Sequence, residues 1–211
     1  DDSVWVHDFF LEKYKNGGSV VNLDNVKADF ERAFTKIWYK EMENDGLNRL
    51  IISANMNWHE ITILRTYVRY LKQIRSPYSR FYTETAIHSH PDIARLLVDL
   101  FKAYHDPKQK KSATKAKAIE KEIIKKLNAV ESLDQDHILR TMLNVVQSTL
   151  RTNYYQRCED GHAKTYLSVK LDSKAVRELP EPKPYREIFV YSPRVEAIHL
   201  RGDKIARGGL R

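Results

Sequence analysis

The chain is poor in the residues that staple or break a fold. Its 211 residues include one cysteine, seven glycines and seven prolines. A single thiol, Cys158, leaves no internal disulfide and no tie to an oxidising compartment. Few glycines and prolines argue against collagen-like or low-complexity chain. No apolar run approaches the roughly 18–20 residues that cross a bilayer. No basic segment followed by an apolar one opens the chain, so no signal peptide is expected. It begins Asp1-Asp2 and stops at Gly208-Gly209-Leu210-Arg211, and both ends read as cut from something longer. What remains is ordinary folding composition: 42% hydrophobic and 30% charged residues, enough for one or two domains with a real core.

The formal charge of +8 is local. Lys108 to Lys126 holds eight lysines against Glu120 and Glu122, a net +6, and Arg201 to Arg211 adds +3. The remainder is close to neutral. In the first stretch Ile119, Ile123, Leu127 and Val130 share one helical face, which puts the lysines on the other. Glu122 and Lys126 have the spacing of a helical ion pair. A solvated face is the plain reading. Phosphate binding is the weaker one, because no interleaved aromatics or nucleic-acid motif accompany the lysines. Neither a nucleic acid nor a membrane is expected as partner.

Helical periodicity runs through the first three quarters. Asp24 heads a stretch with Val26, Phe30, Ala33, Phe34, Ile37 and Trp38 on one apolar face. Asn57 and Glu60 form a capping-box pattern ahead of Ile61, Leu64, Val68 and Leu71. Ser76-Pro77 breaks the helix. His90 precedes Pro91, which suits a first helical position, and Ile93, Leu96, Leu97, Leu100, Phe101 and Tyr104 follow. Ser132 and Gln135 open a last helix through Leu150.

Near Thr152 the character changes. Asp160-Gly161 signals a hairpin turn, and Leu167, Val169 and Leu171 alternate with polar residues at period two. Pro180, Pro182 and Pro184 form a stiff connector. Ile188–Tyr191 and Val195–Leu200 read as two further strands. The fold class is α+β: a bundle-like helical module, residues 1–151, then a small β-rich segment, residues 152–211, that looks like the cut-off start of an α/β substrate domain.

Common catalytic patterns are missing. His59-Glu60-Ile61-Thr62-Ile63 starts like a zinc-protease motif but has Ile63 where the second histidine belongs. His88 and His90, two apart, diverge on a helix and suit surface or capping roles. Cys158 sits beside Arg157 but also Glu159 and Asp160, and reads as a passive thiol. Arg207-Gly208-Gly209-Leu210-Arg211 matches neither a phosphate loop nor a dinucleotide fingerprint. Two residues without Cβ let backbone approach a ligand, and an arginine can hold a carboxylate through paired hydrogen bonds. The residues alone leave a small-anion site and a plain Gly-Gly turn both open.

The run Glu187–Glu196, then His199-Leu200-Arg201-Gly202 and Ala206–Arg211, closely resembles the large, bacterial-type NAD-specific glutamate dehydrogenases. Asn44–Leu50, Leu64–Leu71 and Leu150–Gln156 look similar too. The resemblance implies oxidative deamination of L-glutamate to 2-oxoglutarate with NAD as hydride acceptor. It implies a cytoplasmic enzyme, homo-oligomeric as a whole. Smaller members carry Lys-Gly-Gly-(Ile/Leu)-Arg, whose lysine contacts the side-chain carboxylate of glutamate. The matching residue here is Arg207, followed by Gly208 and Gly209, with Arg211 supporting the loop. Lys to Arg keeps a carboxylate partner but turns a point charge into a planar fork. The α-carboxylate lysine, the catalytic lysine and aspartate and the NAD-binding domain are implied to lie beyond Arg211. No catalytic, cofactor-binding or metal-binding residue is therefore expected here, and the chain alone is expected to be inactive. The alternative is a helical scaffold that mediates subunit contacts or regulation.

Overall fold

The computed structural model describes residues 23–108 and 113–203. Seven α-helices precede a four-stranded antiparallel sheet among these residues. The helices are α1 Leu23–Trp38, α2 Leu50–Ser53, α3 Trp58–Gln73, α4 Arg80–Ser89, α5 Pro91–His105, α6 Ala113–Leu127 and α7 Leu133–Ser148. A 3₁₀ turn, Gly46–Arg49, runs straight into α2. The strands are β1 Thr149–Thr152, β2 Leu167–Leu171, β3 Arg186–Tyr191 and β4 Glu196–Arg201, in spatial order of sequence. The α+β expectation is met.

Local chemistry explains the helix starts. The Asn57 side chain accepts from the amides of His59 and Glu60, and Glu60 accepts from the Asn57 amide, which completes the expected capping box. Ser79 and Ser132 cap α4 and α7 more simply, each side chain accepting from one amide, of Tyr82 and Gln135. Pro91 opens α5, where its missing N–H costs nothing. Past α3, Arg75 takes a left-handed conformation (φ 64°) just before Ser76-Pro77.

Helix α3 is the axis of the molecule. Its expected stripe of Ile61, Leu64, Val68 and Leu71 is buried, but so are Ile63, Arg65, Thr66, Tyr67 and Tyr70. It is enclosed on nearly every side, touching α1, α2, the 3₁₀ turn, α4, α5 and α7 as well as β2 and β3. Each such aliphatic or aromatic side chain stabilises the fold by about 1.5–3 kcal/mol. Helix α5 buries Ile93, Ala94, Leu97, Val98, Leu100 and Phe101. Helix α6 contributes Ala116, Ile123 and Leu127, and Lys126, expected beside Glu122, instead reaches Asp92 of α5 at 3.0 Å.

Two expectations for α1 need correcting. Val26 and Ala33 are buried, but Phe34 and Trp38 are 55% and 72% exposed and stack on each other with centroids 6.2 Å apart. An apolar stripe broader than the surface available to it leaves its rim in solvent.

Strand β1 starts at Thr149 with no loop after α7, the Thr149 hydroxyl still donating to the Val145 carbonyl. Leu167, Val169 and Leu171 of β2 and Glu187, Phe189 and Tyr191 of β3 point to the buried face. All but Glu187 join the same apolar core as α3 and α5. The Asp160-Gly161 turn is present, with Gly161 at φ 81° and an isolated antiparallel bridge between Arg157 and Ala163. Strand β4 is mostly exposed, Leu200 by 57%, although Leu200 faces buried Glu187 across the ladder.

Candidate functional site

Arg207, Gly208, Gly209 and Arg211 lie outside the described residues. The structure describes what leads to them. Strand β4 pairs with β3 in continuous register from Tyr191↔Glu196 to Arg186↔Arg201, and the Tyr185 amide donates to the Arg201 carbonyl at 2.7 Å. Gly202 and Asp203 follow.

The motif residues of α3 and of the preceding loop meet in a polar clamp between helices and sheet. Arg65 is 2% exposed and donates from Nε to Asp45 Oδ2 at 2.5 Å, and from Nη2 to Asp45 Oδ1 at 2.9 Å and Asn48 Oδ1 at 2.8 Å. Asp45 also accepts from the Leu47 amide and so starts the 3₁₀ turn. Burial alone would depress the Arg65 pKa, but the Asp45 carboxylate outweighs it and holds the guanidinium charged. One turn on, Arg69 bonds Glu43 and lies 3.2 Å from Glu196 of β4. Glu43 also accepts from Arg80 at 3.3 Å and from the Tyr191 hydroxyl of β3 at 2.8 Å. Tyr70 donates to Glu187 of β3 at 2.5 Å. Burial pushes the Glu187 carboxyl above the usual range, against the lowering effect of that hydrogen bond. The hydroxyls of Tyr67 and Thr149, the first residue of β1, are 2.8 Å apart. Three strands are thus tied to one helix.

Sequence reasoning missed these residues as a group. The available signal was Arg65, which falls between Ile61 and Val68 on the apolar stripe of α3. A cation at a core position needs a buried acid within reach.

A second charged knot sits at the start of α3. Glu60 accepts from Arg95 at 2.8 and 3.0 Å and also bonds Lys102. Burial would raise its pKa, but Arg95, Lys102 and the Asn57 amide bring it down to about 2. His59 stacks on Tyr154 with centroids 4.0 Å apart. Burial, with Arg157 and Lys102 nearby, lowers its pKa to about 4, so the imidazole is neutral at pH 7. Beside it opens a cavity of about 960 Å³ between α1, the start of α3 and the 160–167 hairpin arm. Trp58, His59, Lys36 and Tyr166 are among its lining residues.

The remaining sequence candidates are structural. His90 caps no amide with its side chain but bonds Gln135 at 2.8 Å, while His88 meets Arg49 at 3.3 Å, so the two diverge as expected. Cys158 is a free, half-buried thiol in the hairpin. Among the described residues no His, Cys, Asp or Glu group is arranged to hold a metal ion, and no helix is long and apolar enough to cross a membrane.

Comparison with known proteins gives these features a context. Residues 122–211 match the family model of the bacterial NAD-glutamate dehydrogenase catalytic domain, and residues 42–107 match that of glutamate dehydrogenase helical motif 3. The chain is 48% identical over its whole length to an NAD-specific glutamate dehydrogenase of Halomonas elongata. It is 44% identical, over 98% of the chain, to one of Pseudomonas aeruginosa, and 39% identical, over 99%, to one of Mycobacterium tuberculosis. It spans 13% of the length of each relative. The chain therefore belongs to the bacterial NAD-glutamate dehydrogenase family, as a segment in which helical motif 3 runs into catalytic-domain sequence.

Proposed function

We propose that this segment serves the NAD-dependent oxidation of L-glutamate and water to 2-oxoglutarate, ammonium and NADH. The observation that carries this reading is the catalytic-domain match over residues 122–211, which takes in α7, the whole sheet and the Gly-Gly run. Arg207 holds the side-chain carboxylate of glutamate through its planar fork. Gly208 and Gly209 let the backbone come close to the substrate, and Arg211 supports the loop. The helices hold the strands that lead there. Proton transfer and hydride transfer to NAD fall to residues outside this chain.

The exposed Phe34 and Trp38 on α1 favour a second, compatible role: the helical part also makes contacts within a cytoplasmic homo-oligomer. The test of the main reading compares two proteins. The complete enzyme carrying this segment reduces NAD when L-glutamate is added, and the 211-residue chain alone does not. Glutamate-dependent NAD reduction by the isolated chain, or none by the complete enzyme, overturns the reading.

A further inference from the structure

The cations on the outside of α6 differ from those around them. Every arginine and lysine of α5 and α7, the helices packed against α6, meets a carboxylate: Arg95 and Lys102 meet Glu60, and Arg140 meets Asp136. On α6 itself Lys126 reaches Asp92 of α5, and Glu120 turns inward to Tyr104 and Gln147. Lys117, Lys121 and Lys125 are exposed and meet no acid among the described residues. Four residues apart, they form one stripe, with about 6 Å of rise from each to the next. Like charges at this spacing weaken a helix rather than support it. Ile124, 44% exposed, stands beside Lys121 on the same side. The face therefore joins three unpaired cations to one uncovered apolar side chain.

Its place in the chain bears on what covers it. Lys117 and Lys121 fall between the two family-model matches, which end at residue 107 and resume at residue 122. The stripe stands where the helical motif gives way to catalytic-domain sequence. A nucleic acid would find no exposed aromatic ring on this helix to stack on. Carboxylates at helical spacing, flanking an apolar residue that meets Ile124, match the face in charge and shape. Exposed ion pairs are weak, each about 1.5- to 5-fold in an equilibrium constant. Three of them fall far short of the roughly million-fold that holds a separate protein at micromolar concentration. A segment tethered in the same polypeptide needs much less, because the tether keeps its effective concentration high. The chain spans 13% of the length of each relative, so most of such a polypeptide lies outside it.

We propose that the outer face of α6 docks an acidic segment from another part of the same polypeptide, with carboxylates on Lys117, Lys121 and Lys125 and an apolar residue on Ile124. The docked segment braces the junction between helical motif and catalytic domain against the rest of the subunit. Neither the glutamate site nor its assigned residues enter this inference.

The test is zero-length coupling with a carbodiimide, which joins a lysine amine to a carboxylate in contact with it. It is applied to the complete enzyme, made from co-expressed isotopically light and heavy chains. Lys126 and Asp92, 3.0 Å apart, supply the internal positive control. Lys117, Lys121 or Lys125 is expected to couple to an Asp or Glu outside residues 1–211, always within chains of one label. These links are expected to be lost at about 1 M salt, where the Debye length is about 3 Å. In the triple variant Lys117→Glu, Lys121→Glu, Lys125→Glu, hydrogen exchange in the coupled acidic segment is expected to quicken about 10-fold. Unchanged exchange in the amides of α6 shows that the variant helix still folds. If the control link forms while the three lysines couple to nothing, or only to Glu122, the face is simply solvated and the proposal is overturned. Links only between light and heavy chains assign the face to a second copy and also overturn it. So does protection of the three lysines from acetylation that appears only when duplex DNA is added, and so does unchanged exchange of the acidic segment in the triple variant.

Discussion

Removing either charge of the buried Arg65–Asp45 pair should destabilise the chain severely, and removing both should cost far less than the sum. The side chains are 2% and 1% exposed, and the contact is bidentate, with bonds of 2.5 and 2.9 Å. Breaking such a pair from one side strands an uncompensated charge, at about 3–5 kcal/mol. Arg65→Met leaves the Asp45 carboxylate with the Leu47 amide as its remaining partner in this set. Asp45→Ala leaves Arg65 with Asn48 and also removes the cap of the 3₁₀ turn, worth about 1 kcal/mol more. The double variant Asp45→Asn, Arg65→Met removes both charges and keeps a side-chain acceptor for the Leu47 amide. It should be no less stable than Arg65→Met alone, which against the single variants Arg65→Met and Asp45→Asn is a coupling of at least about 2 kcal/mol. Urea unfolding of the 211-residue chain, followed by tryptophan fluorescence, measures all the variants. Single-variant losses below about 1 kcal/mol, or strict additivity, refute the argument that this pair is desolvated and mutually dependent.

Two pH effects follow from the same burial. His59 has its pKa lowered to about 4, so the unfolded chain takes up a proton near pH 6.5 while the folded one does not until about pH 4. Stability should fall by about 2 kcal/mol between those values. His59→Phe, which keeps a ring against Tyr154, should flatten that step, and an unchanged difference between pH 7 and pH 4.5 counts against it. Glu187 has the opposite sign, its carboxyl being held above the usual range. Its contribution is present in acid and is lost as pH rises, so Glu187→Gln, still an acceptor for Tyr70, should melt higher than wild type at pH 8 and lose that advantage at pH 4. A lower melting temperature at both pH values contradicts the assignment.

Elements with a local cause were legible in the sequence. The Asn57–Glu60 capping box, Pro91 at the start of α5, the period-two strand β2 and the apolar run Ile188–Tyr191 of β3 all depend on neighbours within a few residues. What depends on the number of packed layers was not. An amphipathic pattern shows that α3 has a buried face but not that the sheet encloses a second one, so Arg65, Arg69 and Tyr70 read as ordinary helix residues. Their acids are far off in sequence: Glu187 lies 117 residues from Tyr70. Phe34 and Trp38 fail in the other direction, being apolar by type yet uncovered. Recognition of the Gly-Gly run came from family resemblance, since the residues alone allowed a plain turn.

Glutamate binding at residues 207–209 is the claim on which the functional account turns, and amide hydrogen exchange in the complete enzyme tests it most directly. With saturating glutamate and no NAD, peptides spanning Gly202 to Arg211 should exchange more slowly than in the free enzyme. Peptides of the lysine face of α6 should be unaffected. Unchanged exchange across residues 202–211, with protection appearing elsewhere in the enzyme, would contradict the placement of the carboxylate site.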